Sequence, residues 1–452
     1  MGDWEEVNHW EVDDFEEEDY PSTSEEMEEV GGEGDGGERE DGASSLGKRV
    51  GLGTALLLGA TLGLGVGVSV AAVATIAHQH IKQKGPSLLE KLGLHGVAER
   101  VPLKSEKWCE KVDEEGKLAN FESLLEEVSR GGICPSIRAT VWPFLLGLVD
   151  VNSNAKEREE ELSKLRKKYE NLLDQCKKLH AELEGGSDQH ENPKILQTEE
   201  YKENRRILNL DLVRTDFSSM TLSELDARTE GDSKDLGLDD HIDKAEYLTA
   251  EQKRCAKDMG KILLCYSIHD PQTGYCQGMT DLVQPFVQIF QDEATSFWAF
   301  SRFMESAREN FMTDESGIMT KISLVKMVLA DISQDVFSWL NEIGAESFFF
   351  VYRMILVQLR RELSIEDSML FWEVLWAEDL ARDMQGKADV PGFLIFSIVA
   401  LIMERAGEIT RNCKAESDVV HMFCNLKIDV WRMIEEARFV RKKWLLVGSS
   451  PG

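Results

Sequence analysis

From Thr249 onward, apolar residues recur at helical spacing almost throughout, and bounded runs of strand alternation are hard to find. Segments 251–269, 292–310, 346–363, 366–380 and 391–406 carry this period. An apolar position every three or four residues makes one stripe on a helix and no single face on a strand. The chain is therefore expected to be all-α. Upstream, Leu162, Leu165, Tyr169, Leu172, Cys176, Leu179 and Leu183 keep an alternating three–four rhythm across the charged stretch 155–184. Three heptads are short for a coiled coil, so this helix is predicted to pack on the domain's own surface. Residues 185–200 and 217–247 are polar and acidic and are expected to be loops.

The first hundred residues follow different rules. Residues 1–45 hold nineteen acids against Arg39 alone. Few aliphatics and a high charge predict a disordered tail over 1–47. Within it, Asp3-Trp4-Glu5-Glu6-Val7 sets an aromatic three residues before an aliphatic among acids. That spacing at Trp4 and Val7 resembles the short linear motif that docks on ubiquitin-like autophagy receptors by adding a strand to a sheet edge. The other reading is an acidic tail whose aromatics have no specific role. Val50 to Ala77 is free of charge for twenty-eight residues. As a helix it would reach about 42 Å, against about 30 Å for a hydrocarbon core. Gly59, Gly63 and Gly67 make a small-xxx-small row that suits helix contact in lipid. Six glycines from Gly51 to Gly67 also permit a bend, so a hairpin stays open beside a span, and a buried or self-associating soluble helix beside both. Basic counts are equal on the two flanks, so orientation is not readable.

The length of 452 residues suits two or three domains. The reading divides the chain into an acidic tail (1–47), a hydrophobic segment (48–84) and a linker with leading helices (85–126). A main helical domain (127–440) and a C-terminal tail (441–452) follow. A net charge of −32 argues against nucleic acid, because phosphate binding needs a basic stripe. Eight cysteines without a CxxC pair argue against a zinc site, so no metal ligands are assigned. Cys276 is read as a packed thiol rather than a nucleophile, since no neighbouring residue nominates a base.

Three segments stand out. Gly132-Ile133-Cys134-Pro135-Ser136-Ile137-Arg138 leads on to Trp142. Pro135 suits a first helical turn, and Arg138 and Trp142 then share a face. In Leu210-Asp211-Leu212-Val213-Arg214, Asp211 and Arg214 are three apart and share a face if helical. In Tyr275-Cys276-Gln277-Gly278-Met279, a glycine beside the glutamine lets backbone approach a partner closely. Taken singly, these read as a buried tryptophan, a structural ion pair and a buried amide.

In this order the three segments resemble the TBC domain, the family of Rab GTPase-activating proteins, with the plant-type members nearest. Gly132, Pro135, Arg138 and Trp142 match its opening signature. Asp211 and Arg214 match its arginine-finger motif, with Leu208 in place of isoleucine. Tyr275, Gln277, Gly278 and Met279 match its glutamine-finger motif in full. Ala294–Phe300 is similar to its aromatic helix, and Glu362–Asp367 followed by Phe371-Trp372-Glu373 to a later helix pair. The resemblance covers about residues 105–440 and implies a multi-helix TBC fold.

It further implies that Arg214 and Gln277 act as catalytic fingers in trans on a GTP-bound Rab. Asp211, Tyr275, Gly278, Arg138 and Trp142 would support them. GTP and magnesium would belong to the partner, so no cofactor is expected here, and the chain would be a GTPase activator rather than a stand-alone enzyme. The alternative is a non-catalytic Rab-binding or autophagy-linked scaffold. The expected location is cytoplasmic and membrane-associated, with the helical domain facing the cytosol.

Overall fold

A computed structural model describes residues 100–184, 194–217, 236–290 and 292–448. The acidic tail with Trp4 and Val7, and the uncharged segment 50–77, lie outside the described residues. Among the described residues there is no β-strand. Two isolated bridges occur, Leu103 with Ile133 and Val112 with Leu118.

The helices run α1 Ser105–Lys111, α2 Phe121–Gly131, α3 Arg138–Leu145, α4 Ala155–Glu184 and α5 Lys194–Arg214. Then come α6 Asp239–Lys244, α7 Ala250–His269, α8 Met279–Ile289 and α9 Glu293–Ala307. They continue as α10 Ser316–Ile332, α11 Gln334–Glu342, α12 Tyr352–Leu356, α13 Ile365–Met384, α14 Phe393–Asn412, α15 Glu416–Cys424 and α16 Val430–Gly448.

Helix α7 is the axis of the half that carries the site. A capping box starts it: Thr249 Oγ1 accepts from the Gln252 amide at 3.3 Å, and the Thr249 amide donates to Gln252 Oε1 at 2.9 Å. Residues from Cys255 to Ser267 are then buried almost without a break. Helices α4, α5, α8 and α9 pack against it. Helix α4 lies on the domain itself, as its short heptad run predicts. The Tyr169 ring sits 5.0 Å from Phe297, its hydroxyl donates to Glu293, and Trp298 Nε1 donates to the Leu165 carbonyl at 2.8 Å.

Three expectations need correction. The loop expected over 185–200 gives way to α5, which begins at Lys194. Polarity there reflects a solvated helix face, since Glu, Lys and Arg form helices well. Lys202–Glu199 and Arg206–Glu203 pair one turn apart. The stretch 217–247 contains α6, anchored by Leu236, Leu238 and Ile242, all fully buried; residues 218–235 lie outside the described residues. Most consequential is 346–363, which is not one helix. It holds a 3₁₀ turn, the short α12, and an irregular run with Phe348, Gln358 and Leu359 in the left-handed region. The run of apolar side chains there is a buried core segment, and helical period cannot tell that from a helix.

The opening signature builds a clamp under the site. Arg138 Nε donates to Glu373 Oε1 at 2.7 Å, Trp142 Nε1 donates to the same oxygen at 3.0 Å, and the Ile133 amide donates to Oε2 at 2.9 Å. Three donors thus satisfy a fully buried carboxylate. Trp142 in turn meets Phe286 of α8 edge-on at 5.5 Å and Trp376 of α13 at 4.8 Å. Helix α8 therefore rests on a rigid aromatic floor.

Candidate functional site

Arg214 is the last residue of α5 and is exposed to solvent. It makes no hydrogen bond or ion pair with any described residue. The ion pair that its spacing from Asp211 permits does not form. Asp211 instead accepts from the Tyr275 hydroxyl at 2.6 Å. Tyr275 is 5% exposed and Asp211 is 8% exposed, so the bond is sheltered from water. It joins the segment carrying Arg214 to the loop carrying Gln277. Burial raises the Asp211 pKa above its usual value; the Tyr275 hydroxyl, Arg214 and Arg361 pull the other way. Burial and the adjacent Asp211 together push the Tyr275 hydroxyl far up, so it stays a donor.

The carbonyls around Arg214 are held from outside the helix. Tyr247 donates through its hydroxyl to the Val213 carbonyl at 2.7 Å, and Thr215 Oγ1 donates to the Asp211 carbonyl at 2.9 Å. Gln284 Nε2 donates to the Asp216 carbonyl at 2.9 Å, and Gln252 Nε2 donates to that of Phe217 at 3.3 Å. The last carbonyls of a helix lack internal partners, so side chains must supply them.

Gln277 sits in the turn that opens α8 and is exposed. Its side chain makes no hydrogen bond to any described residue. The turn around it is firmly built. Asp270 accepts from Tyr266 at 3.1 Å, Thr273 at 2.8 Å and Arg308 at 3.0 Å. The Cys276 thiol donates to the Thr273 carbonyl at 3.4 Å, and burial raises its pKa, as suits a packing thiol rather than a nucleophile. Gly278 stands at φ 99°, a conformation open to glycine, and a Cβ there would lie 3.2 Å from Val357. Met279 is fully buried behind it.

Arg361 reaches Asp281 of α8 at 2.8 Å, and Arg360 Nη2 donates to Gln284 Oε1 at 2.8 Å. The turn through Gln358 and Leu359 brings both arginines here, where a continuous helix would not. The sequence reading missed Tyr247, Gln284, Arg360 and Arg361. For Gln284 there was a signal, a polar residue between Val283 and Pro285 on an otherwise apolar stretch of α8. For the other three the contacts are long-range and leave no local trace. Among the described residues, no group of three or more His, Cys, Asp or Glu side chains could hold a metal ion.

Arg214 and Gln277 are thus two exposed polar side chains on braced segments, bonded to none of the described residues. The model of the Rab-GTPase-TBC domain family matches residues 233–408. The chain carries a Rab-GTPase-TBC domain. The matched span of this TBC domain includes Gln277 and leaves Arg214 just upstream. A curated relative, Rab GTPase-activating protein 22 of Arabidopsis thaliana, is 27% identical over 73% of this chain and 78% of its own length. GTPase-activating protein GYP7 of Yarrowia lipolytica is 30% identical over 65% of this chain, and this chain spans 37% of that protein. TBC1 domain family member 25 of Homo sapiens is 26% identical over 61% of the chain and 34% of its own length. In fold, the TBC domain is similar to the crystal structure of the Ypt/Rab-GAP domain of Gyp1p, with a TM-score of 0.55. That likeness covers 78% of this chain and 99% of Gyp1p's, at 17% identity.

Proposed function

We propose that the TBC domain accelerates GTP hydrolysis by a Rab GTPase, with Arg214 and Gln277 delivered together into the partner's nucleotide site. The observation that carries this reading is a pairing. Both side chains are exposed and unspent, and their segments are tied by the buried Tyr275–Asp211 bond. A slow GTPase lacks charge stabilisation on the γ-phosphate and a held water. The Arg214 guanidinium is always charged and forks onto phosphate oxygens. Gln277 offers a carbonyl and an amide to one water, which can orient it for in-line attack. An arginine finger contributes about 10³–10⁵ in rate, or roughly 4–7 kcal/mol of barrier. GTP and magnesium belong to the partner in this scheme.

The test is single-turnover GTP hydrolysis across a Rab panel. Wild type should stimulate at least one Rab. Arg214→Ala should lose about 10³-fold or more of that stimulation, and Gln277→Ala a large part. Thermal stability should be unchanged in both, because neither side chain holds the fold. Equal stimulation by wild type and Arg214→Ala refutes the finger assignment. Binding without stimulation makes the chain a scaffold.

The proposal extends to location. The uncharged segment 50–77 would hold the TBC domain near lipid-anchored Rabs and raise effective concentration without new contacts. Carbonate extraction of the full chain tests this; release into the soluble fraction sinks it. If Trp4 and Val7 dock on a ubiquitin-like receptor in the cytosol, a single span is excluded and a hairpin is required. Protease protection of an N-terminal tag separates the two.

A further inference from the structure

Gln284 is fully buried, one and a half turns into α8, in the core face that Phe286 and Val287 share. Its two polar atoms reach two different parts of the chain. Oε1 accepts from Arg360 Nη2 at 2.8 Å, and Nε2 donates to the Asp216 carbonyl at 2.9 Å. The orientation is forced. Arginine has donors only, so the amide oxygen must face Arg360 and the amide nitrogen must face the carbonyl. Asp216 lies two residues beyond Arg214. The helix that holds Gln284 starts immediately after Gln277 and Gly278.

Arg360 is 7% exposed, and among the described residues no carboxylate stands within ion-pair distance of it. Its other guanidinium contact is a long one to the Leu363 carbonyl at 3.4 Å, and its Nε has no partner. An imperfectly satisfied buried guanidinium is costly, and an apolar side chain would fill the same space more cheaply. Stability alone therefore gives a poor account of why the cation sits there. Directed at the Gln284 amide, it polarises that group and strengthens its hold on the Asp216 carbonyl.

We infer that Gln284, anchored by Arg360, is a positioning residue that sets the exit of the Arg214 segment against the helix that follows Gln277. The inference rests on the proposed finger roles of Arg214 and Gln277. Two ties then link the segments at opposite ends. Tyr275 to Asp211 lies one turn before Arg214, and Gln284 to Asp216 lies two residues after it. Arg214 is suspended between them. Without Gln284, only the longer Gln252 bond to the Phe217 carbonyl at 3.3 Å would brace the chain beyond Arg214, and it leads to α7 rather than to α8; a misplacement of about 1 Å at a reacting centre costs on the order of 10²-fold.

Two variants separate this from a purely structural role. Gln284→Glu keeps the acceptor for Arg360, as an ion pair, but sets an oxygen against the Asp216 carbonyl in place of a donor. Gln284→Met is close in shape and removes both bonds without adding charge. The first readout needs no GTPase: amide hydrogen exchange of the chain alone. Both variants should speed exchange in the peptide 212–217 and leave α8 and α13 at wild-type rates. The second readout uses a Rab that the wild-type chain stimulates. The maximal single-turnover rate should fall about 10- to 100-fold, while the half-saturating concentration stays within about two-fold, because a buried residue does not touch the partner. Wild-type exchange in 212–217, or exchange raised evenly along the chain, overturns the inference. So does a rate at the wild-type level in both variants. If wild type stimulates no Rab at all, the proposed function falls, and the exchange result still judges the strut.

Discussion

Tyr275→Phe isolates one bond. The substitution keeps the ring and its packing and deletes the hydroxyl that Asp211 accepts at 2.6 Å. Among the described residues this is the only hydrogen bond to the Asp211 carboxylate, and Asp211 is 8% exposed, so water replaces it poorly. A hydrogen bond to a charged group contributes about 1.5–3 kcal/mol, and one between neutral groups about 0.5–1.5 kcal/mol. The deficit should therefore depend on pH. Burial already holds the Asp211 pKa above 3.8, and losing the hydroxyl removes the largest opposing pull. A carboxyl whose folded pKa is raised adds stability when protonated and loses it as pH rises through that pKa. Deleting the hydroxyl steepens that loss. Urea unfolding at about pH 8 should show the variant about 1.5–3 kcal/mol below wild type, shrinking to about 0.5–1.5 kcal/mol near pH 4. Stimulated hydrolysis should fall as well, because the loop with Gln277 loses its tie to the Arg214 segment. A deficit that is absent at pH 8, or as large at pH 4, refutes the reasoning.

Other perturbations have separable outcomes. Glu373→Ala strips the buried partner of Arg138 Nε, Trp142 and the Ile133 amide and leaves Arg138 only its outer ion pair with the exposed Glu366, so about 3 kcal/mol of stability, the low end for a broken buried pair, should be lost in chemical denaturation. Gly132→Ala places a Cβ 2.3 Å from Leu370 Cδ1 at φ +70°; a melting temperature at or above wild type would show that the α2–α13 contact gives way freely. Glu362 is buried with one oxygen unpartnered, and burial holds its pKa above 4.5 despite Arg353. Wild type should lose stability from this group as pH rises through that raised pKa, and Glu362→Gln should not, so the variant's melting temperature relative to wild type should improve from about pH 4.5 to pH 7.

The segments that carry Arg214 and Gln277 are legible in the sequence. Their two motifs stand out because each is local: Tyr275 to Met279 lies in one turn, and Asp211 and Arg214 lie one helical turn apart. What they bond to is not legible there. Asp211 suggested a partner three residues away, and its partner is Tyr275, on a loop far along the chain. The stretch 346–363 was misread because a buried apolar run resembles a helix by period. Its left-handed residues, Gln358 and Leu359, turn the chain and deliver Arg360 and Arg361 to α8. The acidic look of 185–200 hid the start of α5, whose exposed face is charged.

By itself, then, the sequence determined the helical class, the order of the three signature segments and the identity of the two outward side chains. Those properties follow from period, spacing and residue type, all set within a turn or two of backbone. Tertiary structure alone decided that Tyr275 holds Asp211, that Gln284 and Arg360 brace the far side of Arg214, and that Glu373 gathers Arg138 and Trp142 beneath α8. Each of these is a buried polar contact between distant segments. Its partner is chosen by which groups the packed core shuts away from water together, and no local pattern records that choice.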